Sequence, residues 1–320
     1  MKYFQYLGIL LGAIYGYGYR LICGSEGVNG VYNGLSIYSI SFIWVLPIVI
    51  SVIPILFARK EILASRRKQF LFPFFSVLLF FLFTLSNGLE DWLCILIISL
   101  PFLLAAGLVG LILGPIIKKR NANKLYSLVL LPFLVAPFET LLPNKTEQFT
   151  VESSIIIEAD KQRVWGNLIE VPEIKDNEYQ KGFYNYIGVP RPIRSELKQI
   201  KGKEYRIGYF SDNLQLFETV AQEVPLAFVS FNIQINQSRL RDLPTDKHLL
   251  GSDYFEFNSI SYRLVEVSKD KTELVLSCDY TLNSKMNGYA NFWANSIIKD
   301  FESRLLASLK LKLEEKSSKK

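Results

Sequence analysis

Through residue 142 the apolar positions form long unbroken runs, and from Thr150 they alternate with polar ones. Four runs, at 3–23, 37–58, 70–86 and 92–117, match the roughly 20 helical residues that cross a ~30 Å hydrocarbon core. A fifth, LYSLVLLPFLVAPFETLL at 125–142, is shorter and carries Pro132, Pro137 and Glu139. Beyond it, TVESSIIIEA (150–159) ends in a β-branched run and predicts a strand. DKQRVWGNLIEV then predicts a short helix capped by Asp160, with Val164/Leu168 and Trp165/Ile169 as i,i+4 apolar pairs. Residues 172–197 are rich in turn formers. Strand-like runs follow at 204–210, 214–224, 226–235, 254–267 and 272–282. In the last of these Leu274, Leu276, Cys278, Tyr280 and Leu282 share one face. At the end, Tyr289, Phe292, Trp293, Ile297, Phe301, Leu305 and Leu309 recur at helical spacing. They predict one amphipathic helix of about 25 residues, whose apolar stripe needs a partner that the antiparallel sheet supplies.

The pattern divides the chain into an α-helical multi-pass membrane region of four or five helices (1–143), an α+β domain (150–315) and a basic tail (316–320). Charge separates them too. Of the net +6, residues 1–143 hold all the excess, with eleven Lys/Arg against five Asp/Glu; the remainder has 25 of each. A neutral second half gives no electrostatic footprint for nucleic acid, which is set aside as a partner. In the first half the basic residues set topology instead. Lys2, Arg59, Lys60, Arg66, Arg67, Lys68, Lys118, Lys119, Arg120 and Lys124 fall on one side of the predicted spans, and Arg20 alone on the other, with Glu26, Glu90 and Asp91. The positive-inside rule then makes the amino terminus cytoplasmic. With 125–142 spanning, the second domain is extracytoplasmic; with that segment re-entrant, it is cytosolic. The spanning reading is preferred, Glu139 reaching the headgroup region. Tyr15, Tyr17 and Tyr19 before Arg20 read as an interfacial aromatic cluster. A cleavable signal peptide fits the first segment poorly, since further apolar segments follow. Together with the lack of paired cysteines, this fits a bacterial inner-membrane protein.

Reactive chemistry is sparse. Cys23, Cys94 and Cys278 have no metal-site or disulfide spacing, and no phosphate loop, dinucleotide fingerprint or hydrolase motif occurs. No metal or cofactor is expected. His248, in RLRDLPTDKHLLGSDYF, has the intrinsic pKa of an acid–base catalyst and stands as a weak catalytic candidate. Arg206 and Glu218 fall on successive strands as a cross-strand pair, either anchoring a ligand head group or forming a solvated ion pair.

TVESSIIIEADKQRVWGNLIEVPEI, with its Val164-Trp165 pair, and the closing YANFWANSIIKDFESRLLASLK resemble the opening strand–helix and the last helix of the START/polyketide-cyclase (SRPBCC) superfamily. GVPRPI (188–193), YRIGYF (205–210) and LGSDYFEF (250–257) are similar to a membrane-attached branch in which spanning segments precede the domain. Lys203-Glu204 depart from the small or apolar residues expected in the second strand. The resemblance implies a helix-grip fold, a curved antiparallel sheet around the long C-terminal helix, with a cavity for a lipid or another apolar small molecule. Trp165, Phe217, Phe231, Tyr254, Tyr280 and Trp293 are the aromatics placed near such a cavity, the alternative being that they fill the core. The chain is expected to bind an apolar ligand at a bilayer. A cyclase/dehydratase-type enzyme and a ligand-free structural partner of another membrane protein are the alternatives, and the protein partner stays open.

Overall fold

Gly8, Gly12 and Gly16 put a side-chain-free stripe along helix α1 (Phe4–Cys23), and neighbouring helices close directly onto it. A Cβ at Gly12 would lie 2.3 Å from Ser76 Oγ and 2.8 Å from the Ile50 carbonyl oxygen. This close approach holds α1 against α2 (Leu46–Leu56) and α3 (Arg66–Ser86), as small residues do between helices in lipid. Helix α4 (Trp92–Lys119) returns antiparallel along α3, its Gly107, Gly110 and Gly114 facing Phe70 and Gln69. Helix α5 (Leu131–Thr140) completes the bundle. In this computed structural model, which describes residues 4–24, 36–119 and 126–315, the chain divides into two units, Met1–Asn144 and Lys145–Lys320. Lys2, Glu26, Arg120, Lys124 and the basic tail at 316–320 lie outside the described residues.

The first unit exposes much of its apolar surface and buries several of its charged groups. Leu7, Ile14, Phe75, Leu78, Leu82, Leu104, Leu108 and Ile112 are exposed, whereas Arg20, Glu90 and Glu139 are buried. Arg20 Nε donates to Glu90 Oε1 at 2.5 Å, and its Nη2 to the Leu89 carbonyl at 2.9 Å. Glu139 is buried among backbone donors. It accepts from the backbone N–H groups of Ile40 (2.7 Å) and Ser41 (3.0 Å), which have no carbonyl of their own at the start of that helical segment. Two of the tyrosines also bond within the bundle: Tyr15 donates to the Val129 carbonyl (2.5 Å), and Tyr19 shares a hydrogen bond with Ser41 (2.7 Å). These contacts gather the C-terminal ends of α1 and α5, the start of the 41–56 segment and the α3–α4 turn at one end of the bundle. At the other end Gly8 meets Phe57, and Gln69 donates to the Leu63 carbonyl. Among the described residues three helices, Tyr6–Cys23, Arg66–Ser86 and Trp92–Lys118, are long and apolar enough to cross a membrane; Ser41–Leu56 and Ser127–Thr140 are shorter.

In the second unit seven antiparallel strands lie in the order β1-β7-β6-β5-β4-β3-β2. They are β1 (Lys145–Ile157), β2 (Pro192–Ile200), β3 (Lys203–Phe210), β4 (Gln215–Val224), β5 (Phe228–Ile233), β6 (Phe255–Ser268) and β7 (Lys271–Ser284). Two short helices, α6 (Lys161–Trp165) and α7 (Phe183–Tyr186), separate β1 from β2, and α8 (Asn287–Glu315) closes the chain. Asp160 caps α6 as expected, accepting from Arg163 N at 2.8 Å. The turn-rich reading of 172–197 gives way to β2 over its last residues, and Lys203-Glu204 are the exposed first residues of β3. Helix α8 packs on β1 and β7. This is the helix-grip arrangement of sheet and C-terminal helix.

Register fixes what the helix sees. Ser153, Leu276, Tyr262 and Val229 form one row across β1, β7, β6 and β5, and Val151, Cys278, Ile260 and Phe231 form the next. Beneath the C-terminal half of α8, Leu305, Leu306, Leu309 and Leu313 pack solidly with Val229, Phe231, Leu274 and Leu276. That half of the interface is a filled core, the alternative weighed for the aromatics.

Candidate functional site: the helix-facing interior

Along the N-terminal half of α8 the interior changes character. Tyr280 is fully buried, but the rings around it are only half-buried: Phe149 of β1, and Phe255 and Phe257 of β6. Phe149 and Phe255 stack on Tyr280 with centroids 5.7 and 5.6 Å apart, and Phe257 meets Phe255 edge-on at 4.7 Å. The Tyr280 hydroxyl donates to Asn291 Oδ1 at 2.6 Å, which ties the cluster to α8. Along the helix Trp293, Ile297 and Phe301 recur every four residues, each half-buried, and Phe301 meets Phe210 of β3 at 6.0 Å. The indole Nε1 of Trp293 is buried without a hydrogen bond of ordinary geometry, and Tyr289 is the polar neighbour it acts on.

The sequence candidates are distributed unevenly over this interior. Tyr280 and Trp293 belong to its aromatic end. Phe231 and Trp165 pack with the filled core. Phe217 pairs with Ile207 and contacts Tyr205 (5.8 Å), so strand alternation puts it on the sheet face opposite Arg206 and Glu218. Tyr254 precedes β6 and lies one residue off the inward positions Phe255 and Phe257. His248 sits on the π-helical turn Asp246–Leu250, half-buried and off the helix-facing rows.

Arg206 and Glu218 do pair across β3 and β4, but inside the protein. Their side chains are 6% and 2% exposed, and the guanidinium is held by the Glu218 carboxylate. Arg206 Nε also donates to the Ile169 carbonyl (2.7 Å), Nη2 donates to the Leu168 carbonyl (3.2 Å), and the group lies 4.5 Å over the Phe231 ring. With these partners made, Arg206 and Glu218 fasten the segment after α6 to the sheet. Burial pushes the Cys278 thiol pKa up and the Glu302 carboxylate adds to the rise, which disfavours the thiolate that a nucleophile needs.

Besides the rings Phe149, Phe210, Phe255 and Phe257, the titratable interior residues Tyr262 and Glu302 escaped the sequence reading. Tyr262 is 3% exposed, its phenol pushed up by burial, and Arg206 pulls it down. Glu302, on the sheet-facing stripe of α8, is 2% exposed. Its Oε2 accepts from Ser153 Oγ at 2.8 Å. Burial pushes its pKa up to about 8, and the Glu152 carboxylate adds to the rise. A carboxylate seven residues before Leu309 and three before Leu305 was visible in the sequence as a charge placed on the apolar stripe.

No family model matches the chain, and no curated protein matches it. Among solved structures it is similar to the Zhui aromatase/cyclase from Streptomyces sp. R1128, at 12% identity over 52% of this chain and 94% of that chain, with a TM-score of 0.34. It is similar also to a norcoclaurine synthase point mutant from Thalictrum flavum (12% identity, 54% and 98%, TM-score 0.34). A third likeness is an uncharacterised protein from Bacillus thuringiensis (10% identity, 52% and 98%, TM-score 0.32).

Proposed function

We propose that the chain is a membrane-tethered binding module, whose helix-grip unit holds an apolar small molecule or lipid between α8 and the sheet. The observation that carries this reading is the contrast along one interface. At the C-terminal half of α8 the inward side chains are close to fully buried. At the N-terminal half Phe149, Phe210, Phe255, Phe257, Trp293 and Phe301 face inward yet stay half-buried. Inward aromatic surface that the protein does not cover itself is what an apolar ligand covers.

The inverted surface of the first unit supports the tether. Exposed leucines and phenylalanines around buried Arg20, Glu90 and Glu139 suit a hydrocarbon solvent, in which charged groups turn to the bundle interior. Because α5 ends beside Ile40 and Ser41, away from the basic residues at 59–68, the chain leaves the bundle at the end opposite those charges. With the positive-inside rule, this supports reading residues 145–315 as extracytoplasmic. A periplasm-active reporter fused after Pro143 is expected to be active, and an inactive one places the domain in the cytosol.

The binding reading is tested on the full-length protein in amphipol, melted with and without added lipid extract. A ligand at a hundredfold excess over its Kd adds about 2.7 kcal/mol, so melting should rise by several degrees, and solvent extraction should return a bound apolar compound. An unchanged melting temperature together with an empty extract ends this reading.

A further inference from the structure

Glu302 leaves one oxygen without a partner deep in the helix–sheet interface. Its Oε2 is taken by Ser153 Oγ, but Oε1 is buried with no hydrogen bond. Nearby, Arg206 and Glu218 satisfy each other, so their charges do not compete for it. Around the carboxyl stand Ser153 of β1, Cys278 of β7 and Tyr262 of β6, the last two feeling its charge. Glu152 lies behind β1 and Lys299 one turn back on α8. Ile155, Ile260 and Phe301, partly buried, pack against the core cluster that contains Tyr262.

A buried acceptor left unmade costs more than a made hydrogen bond gains, so a group able to complete Oε1 gains over one that cannot. A carboxylate ligand would bring an anion up beside Glu152, into an interior where burial already disfavours charge. An ether or hydrocarbon gives nothing that donates. A hydroxyl both donates and accepts, and therefore matches the carboxyl in either protonation state.

We propose that Glu302 Oε1 is the polar anchor of the interior site and that it selects apolar ligands carrying a hydroxyl group. This rests on the domain being a binding module, and the experiment separates the two claims. Full-length protein in amphipol is loaded with the dye ANS, which is then displaced by octan-1-ol or by heptyl methyl ether, an isomer of nearly the same shape without the O–H. Octanol is expected to bind about tenfold more tightly than the ether. Glu302→Leu should abolish that preference while keeping the ether's affinity. Glu302→Gln, whose amide also donates and accepts, should keep most of it. Equal affinities in the native protein, or a preference that survives Glu302→Leu, overturn the proposal and leave Oε1 with an internal water only. If ANS and both probes fail to bind, the binding-module reading fails and the proposal with it.

Discussion

Glu302→Gln should stabilise the second unit above pH 8 and remove most of its pH dependence. The native carboxyl is pushed up to about 8 from its ordinary value of 4.5, chiefly by burial and then by Glu152, against the opposing Ser153 hydrogen bond and Lys299. Below pH 4.5 folded and unfolded chains both hold the proton, and the group costs nothing. Between 4.5 and 8 the unfolded chain releases it while the folded one keeps it, so stability falls as pH rises. Above 8 the full penalty stands, about 5 kcal/mol as a ceiling. Urea unfolding at pH 5, 7 and 9 reads it directly: the native protein loses stability across the series and the variant holds level. Parallel curves would mean that the carboxyl reaches solvent.

Breaking the interior ion pair should cost nearly as much. Arg206→Met leaves the Glu218 carboxylate 2% exposed with no cation, and loss of one partner of a buried pair costs about 3–5 kcal/mol. The variant also frees the Leu168 and Ile169 carbonyls. Adding Glu218→Leu removes the stranded charge and should restore much of the loss, because apolar residues of similar volume replace such pairs at little cost. A double-mutant cycle in urea measures the coupling. A single-mutant loss under about 1 kcal/mol would mark the pair as solvated.

These two residues show how far the sequence carries. Arg206 and Glu218 are legible as a cross-strand pair, because strand spacing alone puts them opposite each other. Their burial is not, because it depends on the carbonyls of residues 168 and 169 arriving from the segment after α6. Strand β7 is legible, its inward Leu274, Leu276, Cys278, Tyr280 and Leu282 alternating with mostly polar residues, the buried Val275 excepted. Strand β2 is not, because its buried position Ser195 is polar and spends its hydroxyl on the 169–171 backbone, accepting from Val171 N and donating to the Ile169 carbonyl. No apolar alternation marks it. On β6 the bulge between Phe257 and Ser259 shifts the parity, so the inward aromatics are Phe255 and Phe257 rather than Tyr254. In the first unit the apolar runs announce the helices, whereas the inward turn of Tyr19 and Glu139 follows from backbone groups that only the assembled bundle presents.

Photo-crosslinking tests the central claim most directly. A long-chain alcohol with a diazirine in its tail, equilibrated with the full-length protein in nanodiscs and irradiated, will label residues near its bound position. Peptide mapping should place the adducts on α8 between Trp293 and Phe301 and on the Phe255–Ile260 stretch of β6, with competition by unlabelled alcohol. Adducts confined to α1–α5, with none on α8 or β6 under any loading, would contradict the account.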